Sequence, residues 1–163
     1  MKRIFQNLLF FPWRARMAFP ATALRRIEQA IGASEKNHCG ELRFVIEGSL
    51  DLAALWHGVT ARQRAIDVFA QLRVWDTEEN SGVLIYVLLA ERRVEIVADR
   101  GINRRVEVSV WRDICAAMEN AFRQGRYADG AVAGIESIGR LLSAHFPAGR
   151  DNPDELDNAP VRL

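Results

Sequence analysis

The sequence predicts an α/β protein, a three-layer α/β/α sandwich built around a small mixed sheet, and three observations carry this prediction. The spacing of apolar residues gives the element order helix, strand, helix, strand, strand, helix, helix. The run at 82–89 (GVLIYVLL) is apolar throughout, which is typical of a strand covered on both faces and therefore central in its sheet. The helix between the first two strands predicts a right-handed parallel crossover.

The first two of these elements are an amphipathic helix and a strand. Within residues 21–34, Leu24, Ile27 and Ile31 recur at helical spacing, so we expect one face of this helix to be buried. Residues 41–47 (ELRFVIE) place alternate side chains on opposite faces, which is the period of a strand.

The middle of the chain predicts a helix followed by a hairpin. Thr60 and Gln63 form the pattern of a capping box, so a helix is expected to begin there. The central strand at 82–89 is followed by the short polar turn 91–93 and by a further strand at 94–98. Such a short connection predicts that the two strands pair antiparallel.

Two amphipathic helices follow the hairpin. The first stops at Gly125 and carries an apolar stripe at successive i, i+4 positions: Val110, Ile114, Met118 and Phe122. The second runs from about residue 128 to residue 145. Residues 148–163 combine acidic residues and prolines with few apolar ones, so we expect an acidic flexible tail.

Residues 1–20 form an aromatic and basic segment before the domain. The apolar run 8–13 imitates a signal peptide, but Pro12 interrupts it and Arg14 and Arg16 follow directly. No stretch reaches the roughly 18 apolar residues that a membrane-spanning helix needs. We therefore expect a cytoplasmic protein whose N-terminal segment either caps its own sheet or associates with a membrane or a protein partner.

The composition is that of an ordinary globular domain. The 163 residues are 49% hydrophobic and 26% charged, which excludes collagen-like, low-complexity and wholly disordered classes. Since 22 Lys and Arg oppose 21 Asp and Glu, the net charge is +1, and we expect no nucleic-acid partner. Cys39 and Cys115 form no Cys-x-x-Cys pair, so neither a disulfide scaffold nor a zinc ribbon is indicated.

Common catalytic motifs are absent from the sequence. It contains neither of the glycine-rich phosphate-binding loops, so nucleotide binding is disfavoured. It also lacks the Gly-x-Ser-x-Gly and His-Glu-x-x-His motifs. His57 and His145 are isolated, which is more typical of packed side chains than of ligands.

Carboxylates are nevertheless expected to meet at one edge of the sheet. If the first two strands are parallel and the third returns as a hairpin, the sheet brings Glu41 and Asp99 to the same edge, beside Glu35 of the preceding helix. Their mutual repulsion needs compensation, and oxygen ligands suit Ca²⁺, Mg²⁺ or Mn²⁺. Nearby arginines could pair with these acids or bind an anion: Arg100, Arg104 and Arg105. The alternative is that all these groups are solvated surface charges.

Several blocks of the sequence carry a family resemblance: 34–44 (SEKNHCGELRF), 81–87 (SGVLIYV), 91–102 (ERRVEIVADRGI), Trp111 and 145–147 (HFP). Together they resemble the TPM domain family, named after a plant thylakoid-lumen phosphatase, a photosystem II repair protein and a nematode receptor modulator. The resemblance is to a short bacterial form without a transmembrane segment. It indicates an N-terminal segment at 1–20, a TPM domain at 21–147 and a tail at 148–163.

The resemblance implies an α/β/α sandwich, a divalent cation such as Ca²⁺ or Mg²⁺ at acidic loops beside the sheet, and phosphatase-like activity. By motif position it assigns a metal-ligand role to Glu35, Glu41 and Asp99. The resulting hypothesis is a hydrolase in which the metal polarises a phosphoryl oxygen, the arginines neutralise charge and no side chain acts as nucleophile. The alternative is a non-catalytic binding module that acts with membrane or envelope proteins in maintenance or repair, docking through its N-terminal aromatic residues.

Overall fold

The computed structural model of the protein describes residues 2–149 and 155–163. Within these ranges the elements, in chain order, are α1 (Lys2–Leu8), α2 (Pro12–Ala18), α3 (Ala21–Glu35), β1 (Glu41–Glu47), α4 (Leu52–Trp56), α5 (Ala61–Gln71), β2 (Gly82–Leu88), β3 (Arg93–Ala98), α6 (Arg100–Asn103), α7 (Val108–Arg123), α8 (Tyr127–His145) and β4 (Val161–Arg162). The predicted α/β fold is confirmed.

The sheet is small and mixed, with the strand order β3-β2-β1-β4. β1 and β2 are parallel, with Glu41 opposite Gly82 and Glu47 opposite Leu88. β3 runs antiparallel to β2, as the predicted hairpin requires, and the two-residue β4 lies parallel to β1. Every residue of β2 is buried, which confirms the prediction that this strand is central.

Helices cover both faces of the sheet and give the sandwich two cores. On one face α3, α7 and α8 pack against the β1 side chains Leu42, Phe44 and Ile46. On the other face α5 packs against a smaller cluster that includes Val45 and Tyr86. Since full burial of one such side chain stabilises the fold by about 1.5–3 kcal/mol, these two clusters hold the three layers together.

Local signals in the sequence explain where the helices begin and how closely they pack. In α5 the capping box is formed, with Gln63 Oε1 accepting from Thr60 N at 2.9 Å and Thr60 Oγ1 accepting from Gln63 N at 3.1 Å. In α8, a Cβ on Gly134 would lie 2.4 Å from the sulfur of Met118. Glycine at this position therefore allows α7 and α8 to approach each other closely.

The predicted acidic flexible tail is wrong for residues 155–163. Val161 and Arg162 form β4, and Leu163 N donates to Ile46 O at 3.0 Å. Leu156 packs against the smaller core. These residues are ordered because β1 presents unpaired backbone groups on its outer side, and those groups need partners. Residues 150–154 of the predicted tail lie outside the described residues.

Two further features concern the thiols and the membrane. Cys39 and Cys115 are both half-buried and form no disulfide with each other. Among the described residues, no helix has the length and hydropathy needed to cross a bilayer.

Candidate functional site

The candidate site lies at the end of the sheet where β1 and β2 begin and β3 ends. Glu41 stands opposite Gly82, and Asp99 N donates to Gly82 O at 2.9 Å, so the three residues form one row across the sheet. Adjacent strands are about 4.8 Å apart, which puts the Cα atoms of Glu41 and Asp99 about 10 Å apart. The structure therefore places these two predicted residues at the same end, one on either side of Gly82.

The space above Gly82 is filled by the backbone of the preceding loop. A Cβ on Gly82 would lie 1.8 Å from the carbonyl oxygen of Val74, so only glycine fits here. Side chains alternate along a strand, and Val45 and Val97 both belong to the core under α5. By that alternation Glu41 and Asp99 face the α5 side and flank the Val74 carbonyl.

Asp99 is the N-cap of α6. Its residue surface is 6% exposed, and Oδ1 accepts from Arg100 N at 2.6 Å. The other oxygen, Oδ2, is buried and has no hydrogen-bond donor among the described residues. A buried carboxylate oxygen without a donor is unfavourable, so this atom is a candidate for a ligand interaction.

The turn that follows Asp99 packs tightly against the loop before β2. A Cβ on Gly101 would lie 2.6 Å from Asn80 O and 2.9 Å from Glu79 O. Glycine at this position therefore lets the backbone around Asp99 approach two carbonyl oxygens of the 72–81 loop. Carbonyl oxygens and carboxylates are the ligands that hard divalent cations prefer.

The 72–81 loop contributes side chains that sequence reasoning did not single out. Thr77 Oγ1 accepts from Ser81 N at 3.0 Å, and Ser81 Oγ donates to Cys39 O at 3.1 Å. Glu155, from the C-terminal segment, accepts from Glu78 N at 3.1 Å. The polar run 76–81 (DTEENS) directly before a wholly apolar strand was the available signal for this loop.

Glu35 and Glu41 are both buried, but they face different layers. Glu41 Oε2 accepts from Leu156 N at 3.1 Å, so it holds the C-terminal segment. Glu35 Oε1 accepts from Leu42 N at 3.0 Å. That amide points to the outer side of β1, which β4 pairs only near Val45 and Ile46. Glu35 thus comes from α3, on the opposite face of the sheet, and is not in the row of Glu41 and Asp99.

The three predicted anion-binding arginines differ in their surroundings. Arg105 donates to His145 O at 2.7 Å, and its guanidinium lies 4.5 Å from the centre of the Phe146 ring. Arg100 and Arg104 are exposed, and neither forms an ion pair with a described carboxylate. Arg105 therefore anchors the α6 segment to the end of α8, while Arg100 and Arg104 point into solvent near the site.

The carboxylates do not make a preformed metal site by themselves. Within residues 2–149 and 155–163, no group of three or more His, Cys, Asp or Glu side chains is arranged to hold a metal ion. The metal-ligand role of Glu35, Glu41 and Asp99 stays a prediction.

The nucleophilic side chains near the sheet are not activated. Burial raises the pKa of the Cys115 thiol to about 12 and also raises the pKa of Cys39, so neither is a thiolate at neutral pH. His38 is fully buried beside Ser34, with Nε2 2.8 Å from Ser34 Oγ, and burial lowers its pKa. This serine–histidine pair is enclosed by α3 and α8 and is not accessible to a substrate.

Comparison with known proteins finds one matching family and several similar structures. A family model described as the TPM domain matches residues 18–141. No curated protein is significantly similar to the chain. The NMR structure of the BA42 protein from the psychrophilic bacterium Bizionia argentinensis is 34% identical, with a TM-score of 0.79, and the alignment covers 89% of this chain and 95% of that one.

Two more distant structures resemble this chain in fold alone. The N-terminal domain of a P. gingivalis protein is 22% identical, covers 72% of each chain and has a TM-score of 0.58. The N-terminal domain of the cg2496 protein from Corynebacterium glutamicum is 18% identical, with a TM-score of 0.54, and the alignment covers 80% of this chain and 77% of that one.

Proposed function

The chain belongs to the TPM domain family, and from this premise we propose that it is a divalent-cation-dependent, phosphatase-like hydrolase whose site is the end of the sheet bearing Glu41 and Asp99. One observation carries the proposal. Asp99 is 6% exposed, and its Oδ2 has no hydrogen-bond donor among the described residues. A buried anionic oxygen of this kind favours a bound cation because the cation supplies the missing charge compensation.

The surroundings of Asp99 supply further oxygen atoms. The carbonyl groups of Glu79 and Asn80 lie against Gly101, and Glu41 stands across Gly82 on the same face of the sheet. Glu41 and Asp99 would hold Ca²⁺ or Mg²⁺, which when bound polarises a phosphoryl oxygen and makes a bound water more acidic.

The role of the arginine side chains near the site is to bind the substrate. Arg100 and Arg104 are exposed beside Asp99 and can donate two parallel hydrogen bonds each to a phosphate group. Arg105 positions this segment through its bond to His145 O and does not face the substrate. The substrate class that fits is a phosphate ester, bound by the arginines and attacked by water, since no side chain here is an activated nucleophile.

A second candidate function is a non-catalytic binding module, and a different observation favours it. Large apolar side chains of α1, α2 and the segment between them are more than half exposed. In this case the protein works in the cytoplasm with a membrane-protein partner, and the acidic end of the sheet has only a structural role. Contiguous apolar surface of this kind is typical of interaction sites.

Thermal melts and an activity assay test the proposed hydrolase. We expect millimolar Ca²⁺ or Mg²⁺ to raise the midpoint of the wild type relative to chelator, because an ion bound only by the folded state stabilises it. Asp99→Asn should abolish the shift and the cation-dependent turnover of p-nitrophenyl phosphate, whereas Asp113→Asn, on the exposed side of α7, should change neither. An ion-independent wild-type midpoint would overturn the cation site, and a shift without turnover would overturn the hydrolase.

A further inference from the structure

The helix α1 turns its polar side toward the domain. Asn7 is 3% exposed; its Oδ1 accepts from Leu50 N at 2.8 Å, and its Nδ2 donates to Glu91 Oε1 at 3.0 Å. Arg3 Nε forms an ion pair with the same Glu91 oxygen at 2.7 Å. Polar contacts therefore hold α1 against the body of the protein, where a surface helix would ordinarily use its apolar side.

The apolar side of this N-terminal region faces outward instead. Six large side chains in and between α1 and α2 are between 53% and 70% exposed: Phe5, Leu8, Leu9, Phe11, Trp13 and Met17. We call these six residues the N-terminal apolar surface. It borders an open groove of about 990 Å³ that reaches Leu89 and Tyr127. Polar bonds hold α1 in this orientation, and Ala15 and Ala18 of α2 pack against the larger core, so both helices keep their large apolar side chains outward. Apolar area on this scale indicates a surface that another molecule covers.

The charged side chains that line this groove are all basic. The groove is lined by Arg14, Arg26 and Arg92, and no Asp or Glu lines it among the described residues. The sequence up to residue 27 contains no Asp or Glu at all, but six basic residues: Lys2, Arg3, Arg14, Arg16, Arg25 and Arg26. Of the groove arginines, Arg26 is paired with Asp129 at 2.8 Å, so Arg14 and Arg92 supply the uncompensated positive charge.

We propose that the N-terminal apolar surface docks the protein onto an anionic lipid bilayer. Outward aromatic and aliphatic side chains beside exposed arginines are the combination that inserts into the headgroup region while the cations contact lipid phosphates. Trp13 and Arg14 are residue types that favour this interface, tryptophan by its amphipathic ring and arginine by extending its charge to the headgroups. Since α1 and α2 have seven residues each, they lie on the bilayer and do not cross it.

A second copy of the chain fits this surface less well. A twofold-symmetric dimer through the N-terminal apolar surface would bring the arginines around each groove close to the same arginines of the partner. Such like-charge contacts are unfavourable in an interface of low polarity. An anionic bilayer instead supplies the opposite charge to each of these groups.

Bilayer docking sets the direction in which the candidate hydrolase site points. Glu91 and Leu50, which contact α1, and Gly48, which lies beside Phe10 between α1 and α2, follow the ends of β2 and β1. Glu41 and Asp99 lie at the opposite end of the sheet. A docked molecule therefore presents Asp99 to water, away from the lipid. The proposal goes beyond the hydrolase function and does not depend on it.

Vesicle flotation of the full chain tests the proposal. We expect co-flotation with vesicles of phosphatidylcholine and phosphatidylglycerol, much weaker co-flotation with phosphatidylcholine alone, and loss of binding at high salt. The double variant Leu9→Ser with Trp13→Ser should weaken the affinity for anionic vesicles about tenfold or more. Its matched control is Trp75→Ser with Val108→Ser, which changes exposed apolar residues at the other end of the sheet.

Two charge-reversal variants provide the second arm of the test. Arg14→Glu should weaken binding to anionic vesicles, and Arg140→Glu, on the exposed side of α8, should leave it unchanged. Circular dichroism confirms that each variant is folded. No flotation of the wild type, equal flotation on neutral and anionic vesicles, or equal losses in the controls would overturn the proposal. A wild-type dimer that the double variant Leu9→Ser with Trp13→Ser dissociates would also overturn it, because a second copy would then cover the surface. Binding only to membranes that contain protein would overturn it as well, because the occupant would then be a protein.

Discussion

The phenol of Tyr86 donates a 2.5 Å hydrogen bond to Oε2 of Glu47 in the core beneath α5. Arg64 of α5 completes the network, with Nε 2.9 Å from Oε2 and Nη2 3.0 Å from Oε1 of the same carboxylate. Burial raises the pKa of Tyr86 well above its ordinary value, so the phenol remains a donor. The network links β1, β2 and α5, and it gives both oxygens of the buried Glu47 carboxylate a hydrogen-bond donor.

Tyr86→Phe should lower the free energy of unfolding by about 1.5–3 kcal/mol, the usual range for a hydrogen bond to a charged group. The ring stays in place, so the loss reports the hydrogen bond and not packing. Tyr127→Phe is the control, because the Tyr127 ring stacks on Phe122 and its hydroxyl has no hydrogen bond among the described residues. Urea unfolding of both variants measures the difference, and equal losses would contradict the assignment.

Trp111 supports a prediction about the larger core. This α7 side chain is 7% exposed and belongs to the larger core between the sheet and the helices α3, α7 and α8. Its Nε1 has no hydrogen-bond acceptor among the described residues. Trp111→Ala should therefore cost about 3–5 kcal/mol by leaving a cavity. Trp111→Phe should cost much less because it removes the unsatisfied N–H together with part of the ring. A loss under about 1 kcal/mol for Trp111→Ala, measured by urea unfolding, would show that the ring is not part of the core.

The pH dependence of stability should carry a contribution from His38. Burial lowers its pKa in the folded state below the reference value of 6.5, so below that pH the unfolded chain binds a proton that the folded protein does not. This contribution to stability is present at neutral pH and decreases as the pH falls from 6.5 toward the lowered pKa. His38→Gln should flatten the stability profile between roughly pH 7.5 and roughly pH 5, a window that brackets the ordinary histidine pKa.

The control for this prediction is His57→Gln, because His57 is exposed at the end of α4. Urea midpoints are compared across the pH series, and the slope, not the absolute stability, is the readout. His38→Gln will also perturb the contact with Ser34, which changes stability at every pH without changing the slope. Parallel profiles for the wild type and His38→Gln would refute the assignment.

The elements that the sequence predicts well are those that bury their own apolar stripe. β1 begins and ends at the predicted residues 41 and 47, and α8 begins one residue before the expected 128. In each case the period of the apolar residues is a local property, so it can be read without knowing the partner. The position of Glu41 and Asp99 at the same end of the sheet then follows from the parallel crossover and the hairpin.

The parts that the sequence did not predict depend on contacts between distant segments. β4 has two residues, Val161 and Arg162, and forms only because β1 offers a free edge. A surface helix usually buries its apolar side and exposes its polar side, but in α1 Asn7 is buried and Phe5 is exposed. Glu35 lies in a matching block of the family, yet the face on which it sits is set by the packing of α3, which no local spacing reveals.

Both the geometry of the candidate site and the stability of the sheet depend on Gly82. It lies between Glu41 and Asp99, and the Val74 carbonyl occupies the place where a side chain would stand. An added methyl group would overlap a backbone oxygen, and neither the central strand nor the loop can move away without breaking the β1–β2 pairing or the packing of α5. The row that brings Glu41 and Asp99 to one end of the sheet therefore needs glycine at this position.

Gly82→Ala should destabilise the protein by about 3 kcal/mol or more, because the new Cβ meets the Val74 oxygen at 1.8 Å and the core cannot relax around it. Gly32→Ala is the matched control. In α3 the added methyl would meet nothing closer than Asn158 Nδ2 at 3.6 Å, and replacing a helical glycine by alanine should stabilise the fold by about 0.5–1 kcal/mol. Urea unfolding should thus give effects of opposite sign, and a mild or stabilising effect of Gly82→Ala would show that the loop carbonyl does not fill the space between the two carboxylates.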